Sequence, residues 1–193
     1  MDYTYHVESP LGGITLAGDG RALTGLWFDG QKHFAETLAP DHTEKLLPFF
    51  EETLRWLDQY FSGRYPDFTP PLSPRGSAFR QAVWQALLTI PCGRTMTYGQ
   101  IAERLAGAGR TSARAVGGAV AHNPISLIIP CHRVTGAGGN LTGYAGGIDK
   151  KERLLRLEHA ICVKAAETLE EPYLRLLTRE QWEQQGISGH SVV

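Results

Sequence analysis

The sequence predicts an α+β protein in which a small antiparallel sheet with one helix is followed by a mainly helical unit containing a helix-turn-helix. Three observations carry this expectation. Short β-prone segments punctuated by Gly and Pro fill residues 3–30. Apolar residues then recur every three or four positions, the helical period, from residue 44 onward. Between the two regimes lies "SGRYPDFTPPLSPRG" at 62–76, whose four prolines break periodicity and suit a linker.

The elements follow in order. "YTYHVES", "GGITLAGDG" and "ALTGLWFDG" read as three strands of a meander. Over residues 44–61, Leu47, Phe50, Leu54, Leu57 and Phe61 form one apolar stripe, predicting an amphipathic helix that covers the sheet. Ser77 is placed to cap "AFRQAVWQALLTI", and Pro91 forces the exit. Thr97 with Gln100 predicts a capping box for "YGQIAERLAG". "GAGR" at 107–110 gives a turn, and "TSARAVGGAVAHN" the second helix of the hairpin. Asp149 with Glu152 predicts a third cap, for "KKERLLRLEHA". "TREQWEQQG" suits a last helix and "ISGHSVV" a frayed end. The expected division is 1–70, 71–162 and a carboxy-terminal extension, 163–193, to which the sequence assigns no role.

Of the 193 residues, 42% are hydrophobic and 20% charged, ordinary for a globular chain and against disorder. No apolar run approaches the ~20 residues that span a bilayer, and "MDYTYHVESP" has no basic or apolar leader region. A cytoplasmic protein with no membrane partner is expected. Three widely spaced cysteines, Cys92, Cys131 and Cys162, argue for free thiols rather than a disulfide framework or a cysteine-rich metal site. The net charge of −1 conceals an asymmetry: residues 71–160 hold eleven Lys/Arg against four Asp/Glu, whereas 1–70 hold five against eleven. A basic middle is a hint of a polyanion partner and equally describes a solvated basic face.

"LIIPCHRV" at 127–134 places His132 and Arg133 beside Cys131, while "TIPCG" at 89–93 repeats the Ile-Pro-Cys with no base after it. Asn123-Pro124 ends the hairpin helix, "ISLII" enters the core, and Pro130 fixes the backbone before Cys131, with Asn123 able to return toward it. A thiol needs a base or a positive field to react as thiolate. Neighbouring side chains diverge, so a water is expected between Cys131 and His132. Glu158 is one of the four acids of 71–160 available to orient the imidazole. Against this stands the buried, structural thiol, the simpler reading of an isolated Pro-Cys-His. "GGNLTGYAGG" matches no phosphate-binding fingerprint and suits a mobile wall over a pocket, with Tyr144 exposed on it.

Taken together, "RAVGGAVAHNP", "IIPCHRV", "LTGYAGG" and "KERLLRLE" closely resemble the 6-O-alkylguanine-DNA alkyltransferases over residues 76–158, with an amino-terminal half similar to that family's ribonuclease-H-like domain. The resemblance reverses the structural reading of Cys131. It implies a winged-helix-like DNA-binding unit and irreversible transfer of an alkyl group from the 6-oxygen of guanine, with 4-oxygen-alkylated thymine a second lesion, to Cys131. His132, Glu158, Asn123 and Tyr98 are implied as the catalytic set. It further implies that the hairpin's second helix enters the minor groove of duplex DNA, where Arg114 fills the gap left by a flipped nucleotide. Ala115, Gly117, Gly118, Ala121 and Thr95 are implied as further DNA contacts beside Tyr98. Val134, Tyr144, Ala145 and Lys151 match pocket positions; Ala145 and Val120 occupy positions that vary among relatives, leaving alkyl size open. Relatives that bind zinc do so through amino-terminal cysteines, which are missing before Cys92, so no metal and no cofactor are expected. A monomer is expected, and cooperative coating of DNA is left open. A cysteine hydrolase, a helix-turn-helix regulator and a non-reacting damage sensor are the rivals; turnover, base-specific contacts and loss of the cysteine would respectively mark them.

Overall fold

The computed structural model describes residues 1–106 and 111–168. The turn expected at 107–110 and the tail carrying "TREQWEQQG" and "ISGHSVV" lie outside these residues. At the amino terminus β1 (Asp2–Val7), β2 (Ile14–Gly18) and β3 (Leu23–Phe28) make the expected antiparallel meander. A further strand, β4 (His42–Glu44), pairs in parallel with β1, giving the order β3-β2-β1-β4. This strand corrects the helix start expected at residue 44: α1 is Pro48–Phe61. Pro48 is the reason, since proline suits the first turn of a helix and breaks its interior. The phase of the helix also differs from the expected stripe. Phe49, Phe50, Thr53, Trp56, Leu57 and Tyr60 are buried, while Leu47, Leu54 and Phe61 are only partly so. The Trp56 and Tyr60 rings stack 5.1 Å apart, and Tyr60 reaches into the second half of the chain.

β3 is buried along its whole length, which a strand at the edge of a half-solvated sheet is not. Its outer edge is in fact occupied twice. Leu23 N–H donates to the Pro71 carbonyl and Ser73 N–H to the Leu23 carbonyl, both at 2.8 Å. Farther along, Leu26 N–H donates to the Pro124 carbonyl and Ser126 N–H to the Leu26 carbonyl, again at 2.8 Å. The proline-rich linker is therefore a partner of the sheet, and so is the segment that leads to Cys131. Proline supplies a carbonyl without an N–H, which suits this outermost position.

The helical unit is built from α2 (Ala78–Leu88), β5 (Met96–Thr97), α3 (Tyr98–Leu105), α4 (Ala113–Ala121), β6 (Val134–Thr135) and α5 (Ile148–Thr168). Ser77 caps α2, and both bonds of the Thr97–Gln100 capping box are formed. The expected Asp149 cap is corrected: α5 begins at Ile148, the Lys151 N–H reaches back to the Gly147 carbonyl, and Glu152 pairs instead with Arg156 at 2.6 Å. Trp84 Nε1–H donates to the Ala119 carbonyl at 2.9 Å, locking α2 to α4. One apolar cluster runs from Leu16, Leu26 and Tyr60 through Trp84 and Val116 to Ile129 and Leu154, so the two halves share a core. Among the described residues no helix is long and apolar enough to cross a membrane.

Arg75 closes the linker onto the first strand. Its guanidinium donates to both oxygens of Asp2, at 2.6 and 2.7 Å, and the Asp2 side chain is only 4% exposed. Arg75→Ala is expected to lower unfolding free energy in urea by about 2 kcal/mol, because a buried carboxylate loses its fork-shaped partner. Arg75→Lys should recover only part of that; an unchanged urea midpoint for Arg75→Ala would refute the role.

Candidate active site

The last turn of α4 gives way at Asn123-Pro124, and the chain runs beside β3 into the core. Asn123 Oδ1 accepts the Ile125 N–H at 3.1 Å; its Nδ2 donates toward the Ile129 carbonyl at 2.8 Å, the Ile125 carbonyl at 3.2 Å and Cys131 Sγ at 3.1 Å. Two three-residue turns shape the approach. In the first, Ile128 N–H bonds to the Ser126 carbonyl across Leu127, a buried residue held at φ 68. In the second, Cys131 N–H bonds to the Ile129 carbonyl across Pro130, at φ −81 and ψ 65. The second is the relaxed inverse γ-turn that proline favours, and the first its rare, strained counterpart. Leucine stays there because its side chain is enclosed, Ser126 before it is pinned to β3 and the Ile129 carbonyl two residues on is held by Asn123. A 3-10 turn, Cys131–Arg133, then leads into β6, which pairs in parallel with β5.

Glu158 on α5 gathers the side chains beneath this turn. His132 Nε2 lies 2.7 Å from Glu158 Oε1. Arg133 Nε donates to Oε2 at 2.9 Å and its NH2 to Oε1 at 2.8 Å. The Tyr60 hydroxyl from α1 donates to Oε1 at 2.9 Å, and Gly93 N–H approaches Oε2 at 3.4 Å. Arg133 also donates to the Ile90 carbonyl, so the "TIPCG" near-copy packs against the arginine two residues after the cysteine it resembles. His132, Glu158 and Arg133 are 0%, 0% and 2% exposed.

Burial tends to raise the Glu158 carboxyl, but His132 and Arg133 outweigh it and hold it well below the usual carboxylate range. Arg133 is charged at any accessible pH, so the carboxylate persists while His132 is neutral. Burial pushes the imidazole below its ordinary value, with Glu158 opposing. A carboxylate only accepts hydrogen bonds, which places the imidazole proton on Nε2 and the lone pair on Nδ1. Nδ1 is buried and has no hydrogen-bond partner among the described residues. Burial also pushes the Cys131 thiol up, while Asn123 and the Lys151 ammonium pull it down. The arrangement is thus a protonated thiol, a neutral base with a free lone pair, and a fixed anion ready to stabilise the imidazolium.

A family model for the DNA-binding domain of 6-O-methylguanine DNA methyltransferase matches residues 78–160, and one for its ribonuclease-like domain matches residues 1–74. The chain belongs to the 6-O-methylguanine DNA methyltransferase family. The methylated-DNA–protein-cysteine methyltransferase of Mycobacterium tuberculosis is 46% identical over 154 residues, 79% of this chain and 89% of its own. That of Methanosarcina mazei is 46% identical over 156 residues, 81% and 96% of the two chains. The crystal structure of Mycobacterium tuberculosis OGT in complex with DNA matches with a TM-score of 0.74 at 44% identity, over 82% of this chain and 94% of that one.

In this member of the methyltransferase family the remaining expected residues fall into two groups. Around the cysteine, Val134 and Lys151 are fully buried, and Lys151 Nζ donates to the Val134 and Thr142 carbonyls. Burial pushes the Lys151 ammonium down to about 8. The Tyr98 hydroxyl donates toward the Thr142 and Gly143 carbonyls at 3.3 and 3.1 Å. Tyr144, expected to be exposed, is buried at 8%, because Tyr98, Lys151 and a Lys32 N–H bond to the Ala145 carbonyl tie its loop down. Gly143, at φ 60, has no room for a Cβ beside the Tyr98 hydroxyl. On the surface, Arg114, Ala115 and Gly118 are exposed along α4, with Gly117 and Ala121 half-buried and Thr95 half-buried before β5. Arg133, Tyr60 and the 90–93 backbone were not anticipated; the repeated Ile-Pro-Cys was the one sequence signal for the last.

Glu158→Gln should strand the Arg133 cation and cost about 3–5 kcal/mol of stability, whereas Tyr60→Phe should cost about 1 kcal/mol. The pH dependence has one sign. The folded values of both His132 and Glu158 lie below their ordinary 6.5 and 4.5, so the unfolded chain takes up protons first as pH falls. Stability supplied by Glu158 is complete above its ordinary value and lost on acidification, and His132 subtracts more. The urea midpoint should therefore decline between about pH 7 and about pH 4; a flat profile would contradict the buried pair.

Proposed function

We propose that the protein repairs alkylated DNA by moving an alkyl group from the 6-oxygen of guanine onto Cys131, once per molecule. The carrying observation is the relay at the thiol: Asn123 Nδ2 lies 3.1 Å from Cys131 Sγ, and a neutral His132 is anchored on Glu158 at 2.7 Å with its Nδ1 lone pair unused. A water passes the Cys131 proton to Nδ1, and Glu158 stabilises the imidazolium. Sγ then attacks the alkyl carbon, the carbon–oxygen bond breaks, and its electron pair stays on the guanine oxygen. Tyr98, kept protonated because burial raises its phenol, donates to that oxygen as it leaves. Lys151 braces the loop and favours the thiolate electrostatically. The product is a thioether, which offers water no carbonyl, so no hydrolysis restores the thiol. Val134, Tyr144 and Ala145 line the base pocket in this reading.

The alkyl carbon cannot be reached inside a stacked duplex, so the nucleotide must be flipped. The exposed face of α4 suits this: Ala115 and Gly118 allow close backbone approach, no atom lies within 4 Å of a Cβ built on Gly118, and Arg114 projects beside them to fill the vacated stack. A helix of small residues fits the minor groove, where base readout is slight. Thr95 flanks the same surface. The positive balance of residues 71–160 supplies phosphate contacts. The division at residue 70, a monomer and a cytoplasmic, nucleoid-associated location accompany this reading.

Mixing with excess oligonucleotide carrying 6-O-methylguanine should add one methyl group per chain, on Cys131 and neither Cys92 nor Cys162, with Cys131→Ala inert. Methyl transfer beyond one equivalent would overturn the proposal and favour a turning-over hydrolase. Arg114→Ala should slow repair of duplex DNA by at least about tenfold while leaving transfer from free 6-O-benzylguanine intact; equal loss on both would remove the finger assignment.

A further inference from the structure

Outside the active site, three metal-capable side chains converge where the two halves of the chain meet. His33 and Glu36 lie in the connection between β3 and β4, and His122 ends α4. One ligand atom of each lies within 4.8 Å of the others. His33 Nδ1 is 2.5 Å from Glu36 Oε1, His122 Nε2 is 3.9 Å from Glu36 Oε2, and the two imidazole rings are 3.9 Å apart.

The tautomer of His122 gives the cluster its direction. Its Nδ1 lies 2.8 Å from the Gly118 carbonyl, which can only accept, so the proton is on Nδ1. The Nε2 lone pair then lies 3.9 Å from the Glu36 carboxylate, an arrangement that a proton or a metal ion on Nε2 relieves. Donating the far ring nitrogen to a backbone carbonyl is also what orients a metal-bound histidine. His33 and Ala35, at φ 60 and 54, are the left-handed residues that turn the His33 and Glu36 side chains to one side. The His33, His122 and Glu36 side chains are 31%, 27% and 50% exposed, leaving water access to the remaining coordination position.

We propose that His33, Glu36 and His122 bind a divalent transition-metal ion, Zn2+, with water completing a tetrahedral shell. Ligand atoms about 2.1 Å from zinc lie roughly 3.4 Å apart, so the ion would spread His33 from Glu36 by about 1 Å and draw His122 in. Two imidazoles and a carboxylate suit zinc and exclude calcium and magnesium by preference. The sequence expectation of no metal considered cysteine ligands alone; this set contains none. The ion would staple the 31–36 segment to the end of α4, one residue before Asn123. That segment already reaches the site twice, through the Ser126 hydroxyl on Gln31 at 3.2 Å and the Lys32 N–H on the Ala145 carbonyl at 3.0 Å.

The test is titration of the full reduced chain with Co2+, followed by competition with Zn2+. One equivalent should bind with visible d–d absorption and no thiolate-to-cobalt charge transfer. His122→Ala and His33→Ala should each weaken binding by at least about tenfold. Zn2+ should raise the thermal midpoint of the natural chain and not of either variant, and both variants should match its circular dichroism without metal. Binding unaffected by His122→Ala, binding seen only with thiolate charge transfer, or no binding would each overturn the site.

Discussion

The carboxylate of Glu158 sits out of reach of water, and most of the chemistry around Cys131 follows from what is needed to keep it there. An isolated buried carboxylate would take up a proton or unfold its surroundings. Here a guanidinium, an imidazole, a phenol and a backbone N–H converge on its two oxygens. Such a network adds little net stability, because desolvation offsets much of the attraction. What it contributes is arrangement: burial, with Arg133 adding to it, keeps the imidazole neutral, and Glu158 fixes its proton on Nε2 and leaves Nδ1 unprotonated. A site using His132 and Glu158 alone would lack that permanent counter-charge.

The groups that meet Glu158 come from distant parts of the chain. Tyr60 arrives on α1 and the Gly93 N–H on the loop after α2, whose Ile90 carbonyl accepts from Arg133; His132 and Arg133 come from the turn that β3 guides into the core. α5 presents Lys151 and Glu158 seven residues apart, two turns of helix and one face. One end of that face holds the loop around Tyr144, and the other holds the base. The amino-terminal half thus contributes to the candidate site by holding Pro124–Ser126 along β3 and by sending Tyr60 from α1 to Glu158.

Much of this was legible in the sequence. Cys131, His132, Asn123 and Glu158 follow from residue types and from the family resemblance; the geometry pairs Asn123 with Cys131 and His132 with Glu158. The caps at Ser77 and Thr97 follow from local chemistry, and local chemistry forms them. What sequence could not supply was long-range. Arg133 stands beside Cys131 in the sequence with no role of its own until its anion is found 25 residues away. Tyr60 reads as one more core aromatic, and the linker as a tether. Tyr144 illustrates the converse error: a glycine-rich loop ordinarily lies exposed, and the Lys151, Tyr98 and Lys32 bonds tie this one down. Pro48 was readable and underweighted, since it marks a first helical turn.

The state of one imidazole tests the account most directly. Nitrogen-15 NMR of histidine-labelled protein at neutral pH, with His132 assigned through His132→Gln, reports which ring nitrogen carries the proton. A neutral His132 protonated on Nε2, with an unprotonated Nδ1 that stays so below pH 6.5, is the predicted result. An imidazolium at neutral pH, or a neutral ring protonated on Nδ1, would contradict it, because neither leaves a lone pair on Nδ1 to take a proton.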